Sequence, residues 1–222
     1  MTEESALTQF AKARDAGIQV NTHAIGDRGN KLLLDWYQKT LGGNPENTDH
    51  RWRIEHSQIL HVEDIPRFNG LGVIPSMQPS HAIGDLYFAP DRLGNDRLAG
   101  AYAWRSLIDS GSIIAGGSDA PVERGDPRIE FYAAVARKDL KGNDGPEWNP
   151  SERVSRVEAL KMFTLWPAIA SFQEDKLGTI EVGKSADFSV FSNDLMTVDE
   201  ADILTSDVVM TVVAGEIIYQ KN

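Results

Sequence analysis

Four times within its first 117 residues the chain runs a short, mostly apolar segment into polar residues, with helix-spaced stretches between. These segments lie at 18–23, 51–58, 72–79 and 113–117, and each reads as a strand. Short apolar strands alternating with helices are buried on both faces, as in a parallel sheet covered by helices. Two architectures satisfy that pattern, an open doubly wound sheet and part of a (β/α)8 barrel. Both gather ligands at the C-terminal ends of their strands. The spacing predicts helices over 3–16, ended by Gly17, and over 30–41, ended by Gly42-Gly43, with a short one at 62–72. A loop is expected at 79–95 and a continuous helix at 96–111. Beyond residue 125 the pattern changes to helices at 126–137 and 155–172, separated by a loose loop at 139–150. From Leu177 short strands are expected, with turns at Gly178 and Gly183-Lys184 and a hairpin at Ala214-Gly215. The expected division is a main α/β unit over 1–175 and a small β-unit over 176–222.

Composition narrows the function classes. The chain carries 33 acidic against 22 basic side chains, a formal charge of −11, which opposes nucleic acid and anionic membrane surfaces. There is no cysteine, so disulfides and thiolate chemistry are out, and any metal must be held by nitrogen and oxygen ligands. No apolar run approaches the roughly 18 residues of a membrane span, and the acidic start is not signal-like. The expected location is cytoplasmic.

The strand ends carry the informative residues. The first ends in His23 and the second in His56; the third runs into Gln78 and His81, and the fourth ends in Asp119 behind Gly116 and Gly117. In a parallel sheet these tips share one rim, so side chains far apart in sequence can converge. Each has an ordinary alternative. A lone histidine after a strand is commonly a hydrogen-bonded structural residue, and an aspartate before Ala-Pro is commonly a turn or cap. Asp27 is read as a helix cap, and His50 and His61 are assigned to solvent. Recurrence of His, His and Asp at successive tips lifts the set above its members. No phosphate-cradling glycine motif, Gly-x-Ser-x-Gly elbow or paired-cysteine site competes with it.

The stretches NTHAIGDRG, RIEHSQIL, IPSMQPSHAIGD, AGGSDAPVERGDP and GTIEVGKSADFSVF resemble the amidohydrolase superfamily, in the branch of the N-substituted formamide deformylases. The resemblance implies the C-terminal half of a (β/α)8 barrel, strands five to eight, plus part of a small composite β-sandwich. It implies His23, His56 and Asp119 as ligands of a divalent metal, Zn²⁺ being the expected ion, with one or two ions in a complete enzyme. Asp119 would also handle protons, and His81, with Gln78, would lie against a small amide-type substrate whose C–N bond is hydrolysed. The family's His-x-His pair after the first strand and its fourth-strand ligand have no counterpart here, since no two of the five histidines are separated by one residue. Four strands cannot close an eight-stranded barrel. The expected consequence is a nearly inactive isolated chain, completed by a second copy or by an N-terminal half. The alternative is a non-catalytic remnant that self-associates through its open side.

Overall fold

The computed structural model describes residues 2–42, 49–145 and 148–222. Helix α1 (Glu3–Asp15) is capped by the Thr2 hydroxyl, which accepts the Ser5 N–H, and it buries Ala6 and Phe10. Strand β1 (Asn21–Ala24) leads into α2 (Asp27–Leu41), which ends on Gly42 in the left-handed conformation; the expected second glycine, Gly43, lies outside the described residues. Then follow β2 (Arg53–His56), α3 (Ile65–Leu71), β3 (Ile74–Met77), α4 (Pro79–Asp85), α5 (Ala89–Leu93), α6 (Asn95–Leu98), α7 (Trp104–Asp109) and β4 (Ala115–Gly116). Helices α8 (Pro127–Ala136), α9 (Arg156–Met162) and α10 (Leu165–Ala170) come next. The tail holds β5 (Phe188–Phe191), α11 (Glu200–Thr205), β6 (Val208–Val213) and β7 (Glu216–Gln220). Among the described residues no helix is long and apolar enough to cross a membrane.

Strands β1 to β4 form one parallel sheet in the order β1-β2-β3-β4. The order never reverses, whereas a doubly wound sheet has a switch point where it does. Paired residues of a parallel sheet point to the same side. Thr22, Ile54, Pro75 and Met77 share one side by register. Ile54 and Met77 are wholly buried there, and the Tyr37 hydroxyl of α2 donates to the Thr22 hydroxyl. The opposite side carries Asn21, His23, Arg53, Glu55, Ile74, Ser76 and Ala115. Its lower part is covered by α10, where Ile74 and Ala115 pack on Ala170 and the Arg53 guanidinium donates to the Ala170 carbonyl at 3.0 Å. Its upper part, with His23 exposed, remains open.

Several expected elements differ from the observed ones, for identifiable reasons. The strand expected at 51–58 ends at His56 because His56 and Ser57 both take positive φ, 78° and 44°. The expected loop at 79–95 is largely helical, as α4 and α5, each started by a proline in its first turn. The expected helix at 96–111 breaks after Leu98 so that residues 100–102 can dock along residues 58–60. Leu60 N–H donates to the Gly100 carbonyl, Tyr102 N–H to Gln58, and Ala101 bridges Ile59. Gly100 permits this approach, since a Cβ there would lie 1.8 Å from the Leu60 carbonyl oxygen. The expected helix at 155–172 breaks between α9 and α10, because Pro167 lacks an N–H and its ring would crowd the carbonyl of Phe163. Of the strands expected from Leu177 only β5 forms ahead of the hairpin, and α11 stands where no helix was read. The hairpin turns at Ala214-Gly215, both at positive φ as a two-residue type I′ turn requires.

Candidate metal centre

The rim is built by how the strands stop. His23 on β1 and His56 at the end of β2 face each other with ring centroids 4.6 Å apart, edge to face. His56 ends β2 with φ at 78°, and Asp119, three residues past the end of β4, has φ at 57°. That region costs a non-glycine residue of order 1–3 kcal/mol and is typically retained where a side chain must be aimed. The His56 Nδ1 lies 2.8 Å from the Gln78 amide oxygen, which can only accept, so in a neutral ring this contact favours the proton on Nδ1 and leaves Nε2 open to a ligand. A metal-binding imidazole is ordinarily oriented in this way, by a partner on its other nitrogen. Gln78 itself is 5% exposed and sits at the N-cap position of α4.

His81, one turn into α4, stacks on His56 at 5.8 Å between centroids. Its Nε2 is buried without a hydrogen-bond partner, 3.8 Å from the Glu123 carboxylate. Burial holds the His81 pKa down, opposed by Glu123, Asp119 and Asp85 and reinforced by His56. Asp119 therefore lies within electrostatic reach of His81. Among the described residues no three His, Asp or Glu side chains are close enough together to hold an ion as they stand. The rim thus brings His23 and His56 together without closing a ligand set, and β4 ends at Gly116, three residues before the exposed Asp119 rather than in it. The donor types, two imidazoles and a carboxylate without thiolates, suit a borderline divalent ion such as Zn²⁺.

The remaining candidates separate cleanly. Asp27, read as a helix cap, is instead the first residue of α2, with Gly26 at the N-cap position making no side-chain cap; it accepts the Arg28 N–H and pairs with Arg97. His61 is exposed beside Glu63. His50, assigned to solvent on sequence, instead clamps two loops: its Nδ1 accepts the Trp52 N–H and its Nε2 donates to the Leu71 carbonyl. Gly116 and Gly117 also divide. A Cβ at 116 would meet the Met162 carbonyl and the Phe163 ring, both at 2.8 Å, while nothing lies within 4 Å at 117. Gly116→Ala is expected to push β4 off α9 and cost about 1–3 kcal/mol in urea unfolding; a change within about 0.5 kcal/mol, the scatter of neutral surface changes, would contradict that packing.

Sequence reasoning passed over Glu123, four residues beyond Asp119, and Glu130, the one carboxylate inside the apolar run of α8. Glu130 is 2% exposed, and its Oε2 accepts the Ser80 N–H at 2.9 Å. Burial pushes its pKa up from 4.5 to about 7, against the pull of Ser80. Because the folded value exceeds the unfolded one, this group's contribution is fully present below pH 4.5 and is lost as pH rises through 7. The full shift is worth roughly 3 kcal/mol. Chemical denaturation of wild type and Glu130→Gln should therefore show a stability difference that changes between pH 5 and 8 in favour of the variant. A difference independent of pH would contradict the buried carboxyl.

The profile of the Amidohydrolase family matches residues 1–219. The chain belongs to the amidohydrolase family. It is 36% identical over 220 residues to the putative amidohydrolase YtcJ of Bacillus subtilis, covering 99% of this chain and 41% of that protein. It is 29% identical over 211 residues to the N-substituted formamide deformylase of Arthrobacter pascens, covering 95% and 38%. Among solved structures, an uncharacterized metal-dependent hydrolase from Pyrococcus horikoshii superposes with a TM-score of 0.77 at 28% identity, over 90% of this chain and 39% of that one. This amidohydrolase chain thus spans about two fifths of the length of these relatives.

Proposed function

We propose that this chain is the C-terminal half of a metal-dependent amidohydrolase, supplying barrel strands five to eight as β1 to β4 and the metal-side rim at their tips. The observation that carries the reading is the His23–His56 pair on adjacent strand ends, with the Gln78 amide oxygen 2.8 Å from His56 Nδ1. His23, His56 and Asp119 are the proposed ligands of a divalent ion, Zn²⁺ by donor type. Bound there, the ion would lower the pKa of a water towards 7 and polarise a carbonyl.

The chain's own groups supply the rest of the chemistry. Asp119 accepts the proton of the attacking water and hands it to the leaving amine as the C–N bond breaks. His81, whose pKa burial holds down and whose Nε2 is unpartnered, would donate to the developing oxyanion of a small amide. The proposed units remain a barrel portion, 1–175, and a β-unit, 176–222. Both present surfaces that further polypeptide would cover. One side of the main sheet is open around His23, and Ile217 and Ile218, neighbours on β7 that point to opposite faces, are 57% and 63% exposed. The completing partner is a second copy or an N-terminal half. The unclosed ligand set among the described residues favours an isolated chain with little turnover.

The test is a zinc titration of the purified chain followed by thermal unfolding and by amine release from an N-substituted formamide. Expected are a rise in Tm that saturates with zinc, and amine release near background. No zinc-dependent rise would overturn the metal reading, and rapid zinc-independent turnover would overturn the chemistry.

A further inference from the structure

Helix α4 starts without a cap of its own. Pro79 has no N–H, so the first backbone donor of the helix is Ser80. An N-cap side chain ordinarily accepts such a donor, yet Gln78 at that position makes no capping bond. Its amide oxygen is committed to His56 Nδ1 instead. The Ser80 N–H is met from another element, by the Glu130 carboxylate of α8 at 2.9 Å.

Glu130 is an expensive way to satisfy one N–H. Its neighbours Phe131, Tyr132, Ala133 and Ala134 are all buried and apolar or aromatic, and among the described residues Glu130 has no ion pair with any cation. A buried carboxyl without a cationic partner costs stability that an apolar side chain would not. Its placement makes sense through what it releases. With Ser80 N–H satisfied by α8, the Gln78 oxygen is free to orient His56.

We infer that Glu130 is a positioning residue that caps α4 in place of Gln78 and thereby keeps His56 in the Nδ1–H tautomer with Nε2 open. Without the Glu130 acceptor, the orphaned Ser80 N–H competes for the Gln78 oxygen, one residue pair away in the chain, and the imidazole loses its lock. The role deepens the metal reading and rests on it for its consequence, but the tautomer is measurable in metal-free protein, so the two can fail separately.

The experiment is nitrogen-15 NMR of the histidine rings in the metal-free full chain, above pH 7, for wild type and four variants. Wild type and Glu130→Gln, which keeps an acceptor oxygen, should show His56 as the Nδ1–H tautomer. Glu130→Ala should lower the ratio of Nδ1–H to Nε2–H about tenfold, the worth of one hydrogen bond. Glu130→Asp, which withdraws the carboxylate by one methylene, reads the same change if the alanine variant does not fold. Val135→Ala, a cavity on the same helix, should loosen the fold and leave the tautomer unchanged. A locked His56 in the alanine or aspartate variant would overturn the inference, and so would equal mixing in Val135→Ala or in Glu130→Gln.

Discussion

Arg137→Met is expected to lower unfolding free energy by about 3–5 kcal/mol and to drop Tm by about 10 °C or more. Arg137 is 1% exposed at the C-terminal end of α8. Its guanidinium donates to the carbonyls of Trp148 at 2.7 Å and of Tyr102 and Ala101 at 2.9 Å. It also lies over the rings of Trp104 and Trp148, at 4.7 and 5.4 Å. Burial pulls its pKa down to about 10, so it stays charged at neutral pH. Methionine fills comparable space but leaves three buried carbonyls without donors, each worth about 1–3 kcal/mol. Lysine keeps the charge but not the planar fork, so Arg137→Lys should fall between the two. The carbonyls concerned belong to the segment that breaks the expected helix at 96–111, which carries the Tyr102 hydroxyl to Asp85 of α4. A Tm within about 2 °C of wild type for Arg137→Met would contradict this account.

The second large effect concerns metal affinity. His56→Ala should weaken zinc binding by well over 100-fold, and His23→Ala by a similar factor. Gln78→Leu should cost less, about 10–100-fold, which is typical of losing a group that orients a ligand. The order matters more than the values, because it follows from which atom faces the ion. Calorimetric titration of the three variants checks the ranking, and equal affinities in His56→Ala and wild type would contradict it.

The parallel sheet was legible from short strands alternating with helices, but burial on both faces was not: the face with Asn21, His23, Arg53 and Glu55 is polar and only partly covered. Helix continuity was not legible. The breaks at 99–103 and 163–164 are decided by tertiary contacts, by Gly100 against Leu60 and by the ring of Pro167 against Phe163. Periodicity alone cannot see these. Helices α4 and α5 were hidden because prolines, which mark loops as often as helix starts, open both. His50 was misjudged because its two backbone partners, Trp52 and Leu71, come together only in the fold. The supporting roles of Glu130 and Arg137 are likewise properties of packing. One hint was present, a single glutamate within the apolar stretch of α8.

The central claim is that imidazoles 23 and 56 share one ion at the strand tips. X-ray absorption of the zinc-loaded chain measures this most directly. Wild type should show two imidazole nitrogens at about 2.0–2.1 Å from zinc, and His56→Ala only one. An unchanged imidazole count in that variant, or zinc surrounded by water oxygens alone in wild type, would contradict the claim.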